Sequence, residues 1–102
     1  DLSIQGIMLG QKLKELRVEH HFVQREVAAK LEVDTAYVSK MENGTKQVSR
    51  SWLPILSEMF NVEMYQLEVL WLADRVLQQV KGEAHAQSAM RLALKKLDSQ
   101  AR

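Results

Sequence analysis

The sequence predicts an all-α fold in which five helices close a small body and a sixth extends from its C-terminal end. Three observations carry this prediction. Apolar residues recur at three- and four-residue spacing along nearly the whole chain, and the alternation of a half-buried strand is almost absent. The 102 residues suffice for one compact domain with a modest core and not for two. Asn43-Gly44, Asn61 and Gly82 cut the apolar pattern into helix-sized pieces.

Leu9, Leu13 and Leu16 fall at i, i+4 and i+7 and predict a first helix over about 9–20, with Gln11, Lys12, Lys14, Glu15 and Glu19 outward. A second helix is expected over 24–31, turning Val27, Ala28 and Leu31 inward. Val33 follows in a short turn. Asp34 is then a good N-cap, because its carboxylate can accept from the orphan amides of the next helix. That third helix runs over 35–42 and buries Val38 and Met41. Asn43-Gly44 ends it, since both residues tolerate left-handed geometry.

Residues 45–50 are polar and read as a loop. The fourth helix is expected from about Ser51, which puts Pro54 in the first turn, where a missing amide does no harm. Its buried side is Trp52, Leu53, Leu56, Met59 and Phe60; Asn61 is a left-handed stop and Val62 tucks back into the core. From Glu63 to about Val80 a fifth helix carries Leu67, Leu70, Trp71, Leu72, Val76, Leu77 and Val80, more apolar surface than one small core absorbs. Gly82 interrupts it. A sixth helix over 84–98 sets Ala86, Met90, Ala93, Leu94 and Leu97 on one face.

Composition narrows the class. Hydrophobic residues at 46% and charged residues at 26% are ordinary globular values, and no apolar run approaches the length of a membrane span. There is no cysteine, so disulfides and thiolate metal sites are excluded and the cytoplasm is the expected compartment. Net charge is only +1, yet Lys40, Lys46 and Arg50 against the single Glu42 form a local basic excess. Residues 1–7 stand apart: Met8 looks like a natural start and Gln5-Gly6 like the remnant of a cleavable tag, a short native arm being the alternative.

Two short helices joined by a tight turn can hold the second one proud of the body, and the major groove of B-DNA admits one α-helix. The residues that fill this pattern resemble a known family. They are Leu13, Leu16 and Arg17; Gln24, Val27 and Ala28; Val33; Val38, Ser39 and Glu42-Asn43-Gly44; then Leu53, Phe60, Val62 and Leu67. Over residues 9–67 the chain resembles, without a gap, the Xre-type helix-turn-helix domain of phage repressor and Cro proteins. The resemblance implies a five-helix repressor-like domain at 8–67, followed by a C-terminal extension at 68–102 used for dimerisation.

It also implies roles. Gln24 opens helix two, where free amides and the helix dipole suit a phosphate. Thr35, Ala36 and Lys40 match the base-reading positions of the recognition helix, with Tyr37 beside them open to DNA contact or packing. Lysine can donate to guanine, and the Thr and Ala methyls can meet a thymine methyl. Ser39, Asn43, Thr45 and Lys46, joined by Arg50, match phosphate-contacting positions, and Arg17 with Glu42 matches a structural ion pair. His21 and Glu32 stand where the family usually has glycine, and Val48 replaces a frequent proline. Glu32 is therefore expected either to carry strain on the order of 1 kcal/mol or to reshape the turn.

His20-His21 has no partner at ligand spacing, so no metal or other cofactor is expected. Glu42 has a cation partner and no nucleophile beside it, which argues against catalysis. Leu70, Ala73, Leu77 and Val80, with Met90, Leu94 and Leu97, supply the expected dimer face; packing of these helices on their own core is the other reading. The function expected is a homodimeric, sequence-specific regulator of transcription, most simply a repressor, acting on double-stranded DNA. The competing expectation is a protein-binding module, an antitoxin or adaptor, whose residues 65–102 capture a partner protein.

Overall fold

The computed structural model describes residues 7–101. Among them the elements run α1 (Ile7–Glu19), α2 (Gln24–Leu31), α3 (Thr35–Glu42), a 3-10 turn at Arg50–Trp52, α4 (Leu53–Phe60), α5 (Met64–Gln79) and α6 (Ala86–Gln100). The fold is all-α, with no strand among the described residues. The reading of residues 1–7 as a tag remnant or arm falls, apart from Ile7 at the start of α1, outside the described residues.

One core unites α1 to α5. Leu9, Leu13 and Leu16 of α1 meet Val27, Ala28 and Leu31 of α2, Val38 and Met41 of α3, Leu53, Leu56 and Phe60 of α4, and Leu67 of α5. Burying one such side chain contributes roughly 1.5–3 kcal/mol, and these positions follow the helical spacing in the sequence. Val48 closes the core from the loop before α4.

Three helices stop in the same way. His21, Glu32 and Asn61 take left-handed backbone with φ of 61°, 59° and 52°. The following amide then reaches back five residues: Phe22 to Arg17 O, Val33 to Ala28 O and Val62 to Ser57 O, each at 2.9–3.0 Å. This is the Schellman stop, which delivers an apolar residue to the core just past the helix. Phe22, Val33 and Val62 all pack against the core. Glu32 thus keeps the turn in the glycine-type geometry and carries the strain that a β-carbon brings there.

The end of α3 departs from expectation. Asn43 has φ −91° and ψ 2°, and only Gly44, at φ 86°, is left-handed. Asn43 is held out of that region because its side chain closes an Asx-type turn, Oδ1 accepting from the Thr45 amide at 3.0 Å.

Two long-range contacts set the helix arrangement. Gly10 lies so close to α3 that a Cβ would run into the Met41 carbonyl oxygen and stand 3.1 Å from that of Glu42. At the start of α1, the Asp74 carboxylate of α5 accepts from the Leu9 amide at 3.0 Å. This satisfies one of the orphan amides of a helix N-terminus, where α1 begins two residues earlier than periodicity suggests.

α5 runs unbroken through residues 67 and 68, and Trp71 and Asp74 beyond them face the body. Its outward side is a second apolar stripe. Tyr65, Val69, Leu72 and Val76, spaced 4, 3 and 4, are each at least 44% exposed. The expected dimer residues split: Leu70 packs against the core, and Ala73, Leu77, Val80 and Met90 are half-buried, while Leu94 and Leu97 are exposed. No residue of α6 is buried. No helix among the described residues is long and apolar enough to cross a membrane.

Candidate nucleic-acid interface

α3 begins where Asp34 accepts from the Tyr37 amide at 2.8 Å, and its inner face is Val38 and Met41. The other end is fixed by Glu42. Its carboxylate accepts from Arg17 Nε at 2.6 Å, Arg17 Nη2 at 3.2 Å and Gln24 Nε2 at 3.0 Å. Arg17 spends a further donor on the Phe22 carbonyl at 3.0 Å. Three helices therefore meet at one carboxylate that is nearly sealed from solvent, and among the described residues no fully buried side-chain nitrogen or oxygen lacks a partner. The expected pair of Arg17 and Glu42 is present and is part of this larger knot.

With one face packed and its end tied, α3 projects the rest. Thr35, Ala36, Ser39 and Lys40 are all exposed. Among the described residues their side chains make no hydrogen bond or ion pair. Tyr37 does not join this row. It is half-buried, its ring meets Trp52 edge-on at 5.6 Å, and its hydroxyl donates to the Gln47 carbonyl at 2.9 Å. Tyr37 braces the loop beside α3.

That loop is built on the end of the helix. The amides of Thr45 and Lys46 both donate to the Lys40 carbonyl, at 2.9 and 3.2 Å. Asn43 Oδ1 accepts from Thr45 twice, from its amide and, at 2.8 Å, from its hydroxyl. The Asn43 oxygen is thereby used, and its amide group is the part free to donate outward. Lys46 is exposed at the tip. Gln24 is half-buried and turned toward Glu42, so its side chain supports α3. Arg50 lies over the Trp71 ring, 5.0 Å from its centroid, with Glu68 4.0 Å away on the exposed surface.

The structure thus brings Thr35, Ala36, Ser39, Lys40, Asn43, Thr45 and Lys46 to one side, and sets Gln24, Tyr37 and Arg50 behind or beside them in supporting contacts. Sequence reasoning missed Gly10, Asp74 and Trp71. Trp71 Nε1 donates to the Val48 carbonyl at 2.7 Å and locks the loop to α5. Among the described residues no three His, Cys, Asp or Glu side chains gather as a metal site would require. Burial pushes the Asp74 carboxyl above its ordinary value of 3.8, and the Leu9 and Met8 amides pull it partly back.

Comparison with known proteins agrees with the helix-turn-helix fold. A family model described as helix-turn-helix matches residues 13–67, more than half of the chain. The antitoxin PezA of Streptococcus pneumoniae serotype 4 (strain ATCC BAA-334 / TIGR4) is 36% identical over 55 residues. That stretch covers 54% of this chain and 35% of the relative, so the chain spans far less than the relative's whole length. No solved structure matches the chain.

Proposed function

Because the chain belongs to the helix-turn-helix family, we propose that it is a sequence-specific DNA-binding regulator of transcription, a repressor in the simplest case. The observation that carries this reading is the unengaged outward row of α3, Thr35, Ala36, Ser39 and Lys40, on a helix anchored at both ends. Thr35, Ala36 and Lys40 read base edges in the major groove. Ser39, Asn43, Thr45, Lys46 and the first amides of α2 at Gln24 hold phosphates and set the register. Tyr37 serves through the loop it braces.

The regulator acts as a homodimer. One α3 touches half of a two-fold operator, and pairing sets the half-sites about 34 Å apart. The outward stripe of α5, together with exposed Leu94 and Leu97 of α6, supplies the apolar surface such pairing needs.

Selection of bound sequences from random duplex DNA tests the proposal, with anisotropy titrations of the Lys46→Ala and Lys40→Ala variants. A palindromic consensus is expected. Lys46→Ala should weaken all sequences alike and lower the salt slope by about one unit. Lys40→Ala should also change sequence preference. Equal losses on specific and random DNA would remove Lys40 from the base readers, and no enriched sequence at all would overturn the reading.

A second reading has its own support: the relative is named an antitoxin, and α6 buries none of its residues. On this reading residues 65–102 capture a partner protein. Removing residues 82–102 should then abolish capture and leave the folded body intact.

A further inference from the structure

Trp71 joins two parts of the molecule. Its indole N–H donates to the Val48 carbonyl at 2.7 Å, which fixes the ring of α5 against the loop that carries Lys46 and Arg50. Two guanidinium groups lie over that one ring, Arg50 at 5.0 Å and Arg75 of α5 at 4.8 Å from its centroid. Lys46 and Arg75 line the same crevice beside Trp71 and Asp74. Two arginines thus share one indole, and Lys46 lines the crevice beside it.

Two carboxylates stand near these three cations, and neither lies within 4.0 Å of Arg75. Glu68 is 4.0 Å from Arg50, but both side chains are well exposed, and such a pair is weak and screened by salt. Asp74 faces the crevice with its carboxylate engaged by the Leu9 amide. Among the described residues Arg75 has no ion pair within 4.0 Å. An arginine resting on an aromatic face keeps its N–H edge for a planar or tetrahedral oxyanion, and the ring holds it in position without neutralising it.

The cluster continues the surface proposed above. The loop that Trp71 locks is the loop hung on the Lys40 carbonyl and braced by the Tyr37 hydroxyl. Cations therefore follow one another from Lys40 through Lys46 to Arg50 and Arg75.

We infer that Arg75, held on Trp71 beside Arg50 and Lys46, binds a phosphodiester of the DNA backbone and carries the footprint past the recognition helix onto α5. The inference rests on the DNA-binding reading and adds a site to it. Its contribution is independent of sequence: it neutralises backbone charge and releases counterions.

The test is Arg75→Gln, which keeps a polar stem over the indole and removes the charge, titrated against the selected duplex and a random duplex over a range of salt. The expected result is an affinity loss of about five- to tenfold near 0.1 M salt on both duplexes, with the slope of log K against log salt reduced by about one unit. Arg75→Lys should restore the slope. A wild-type slope in Arg75→Gln, alongside a reduced slope in Lys46→Ala, overturns the inference and leaves the DNA reading standing. Failure of the wild-type chain to bind any duplex overturns both. Should Arg75→Gln fold poorly, the Arg75 Nε–H resonance of the wild-type chain gives the answer. A shift on adding duplex supports the site, and an unmoved resonance refutes it.

Discussion

The Asp74 carboxylate and the Leu9 amide, 65 residues apart in sequence, meet at 3.0 Å where α1 begins. A side chain of α5 therefore does for α1 what an N-cap residue does locally for α3. Asp74→Ala leaves a buried amide unpaired and should cost about 1–3 kcal/mol.

Asp74→Asn keeps an acceptor and removes the charge, so it separates the hydrogen bond from the titration. Burial penalises the ionised form, and the folded carboxyl holds its proton to higher pH than the unfolded one. The stability associated with the neutral form is complete below the ordinary value of 3.8 and is lost as the pH climbs through the raised value. The advantage of Asp74→Asn over wild type should therefore grow as the pH rises above 3.8 and then level off. Urea midpoints measured across that range check it, and a difference that does not change with pH would refute it.

Gly10→Ala tests the contact between α1 and α3. Helix propensity alone favours alanine by about 1 kcal/mol. The new methyl, however, meets the backbone carbonyl of Met41, which has no flexible end to swing aside. Overpacking of this kind costs about 1–3 kcal/mol, so a net loss of stability is expected. A melting temperature above wild type would show that the helices can part without penalty.

Glu32→Gly should stabilise the fold by up to about 1 kcal/mol, because glycine takes a φ of 59° without strain. Glu32→Ala keeps the β-carbon and should bring no gain. Equal denaturant midpoints for Glu32→Gly and Glu32→Ala would place the origin of any effect in the lost carboxylate.

If the chain pairs as proposed, Leu72→Lys combined with Val76→Lys should halve the mass seen by sedimentation and leave the helical circular dichroism unchanged, since both side chains are exposed. DNA affinity should drop with it, because two half-site contacts no longer add. A dimer that survives the double change uses another surface.

Local features of the fold were legible in the sequence. The bounds of α2 and α3 follow from Val27, Ala28, Leu31, Val38 and Met41 at helical spacing and from Asp34 as a cap. Val62 shows itself by following Asn61 at a helix stop. What escaped is what depends on distance in sequence. Nothing near Asp74 says that its carboxylate will meet Leu9, and nothing near Trp71 says that its indole will find the Val48 carbonyl. Gly10 reads as an ordinary weak spot in a helix until α3 is laid against it. On α5 the periodicity fits several neighbouring stripes, and it puts Leu70 on the outer one although Leu70 packs inward, because only the position of the core distinguishes them. Tyr37 shows the same gap at the candidate site: its position beside the outward residues leaves DNA contact and packing both open, and the Trp52 ring and Gln47 carbonyl that claim it are not visible in the sequence.

α3 divides its residues between two duties that do not overlap. Val38, Met41 and Glu42 answer to the fold, whereas Thr35, Ala36, Ser39 and Lys40 owe nothing to any neighbour. Exchanges at exposed, unengaged positions usually stay within about 0.5 kcal/mol of neutral. The four outward positions can therefore be exchanged among ordinary helix formers at little cost to the fold, so under the proposed function a lineage carrying it could drift from one target to another while its scaffold stands still.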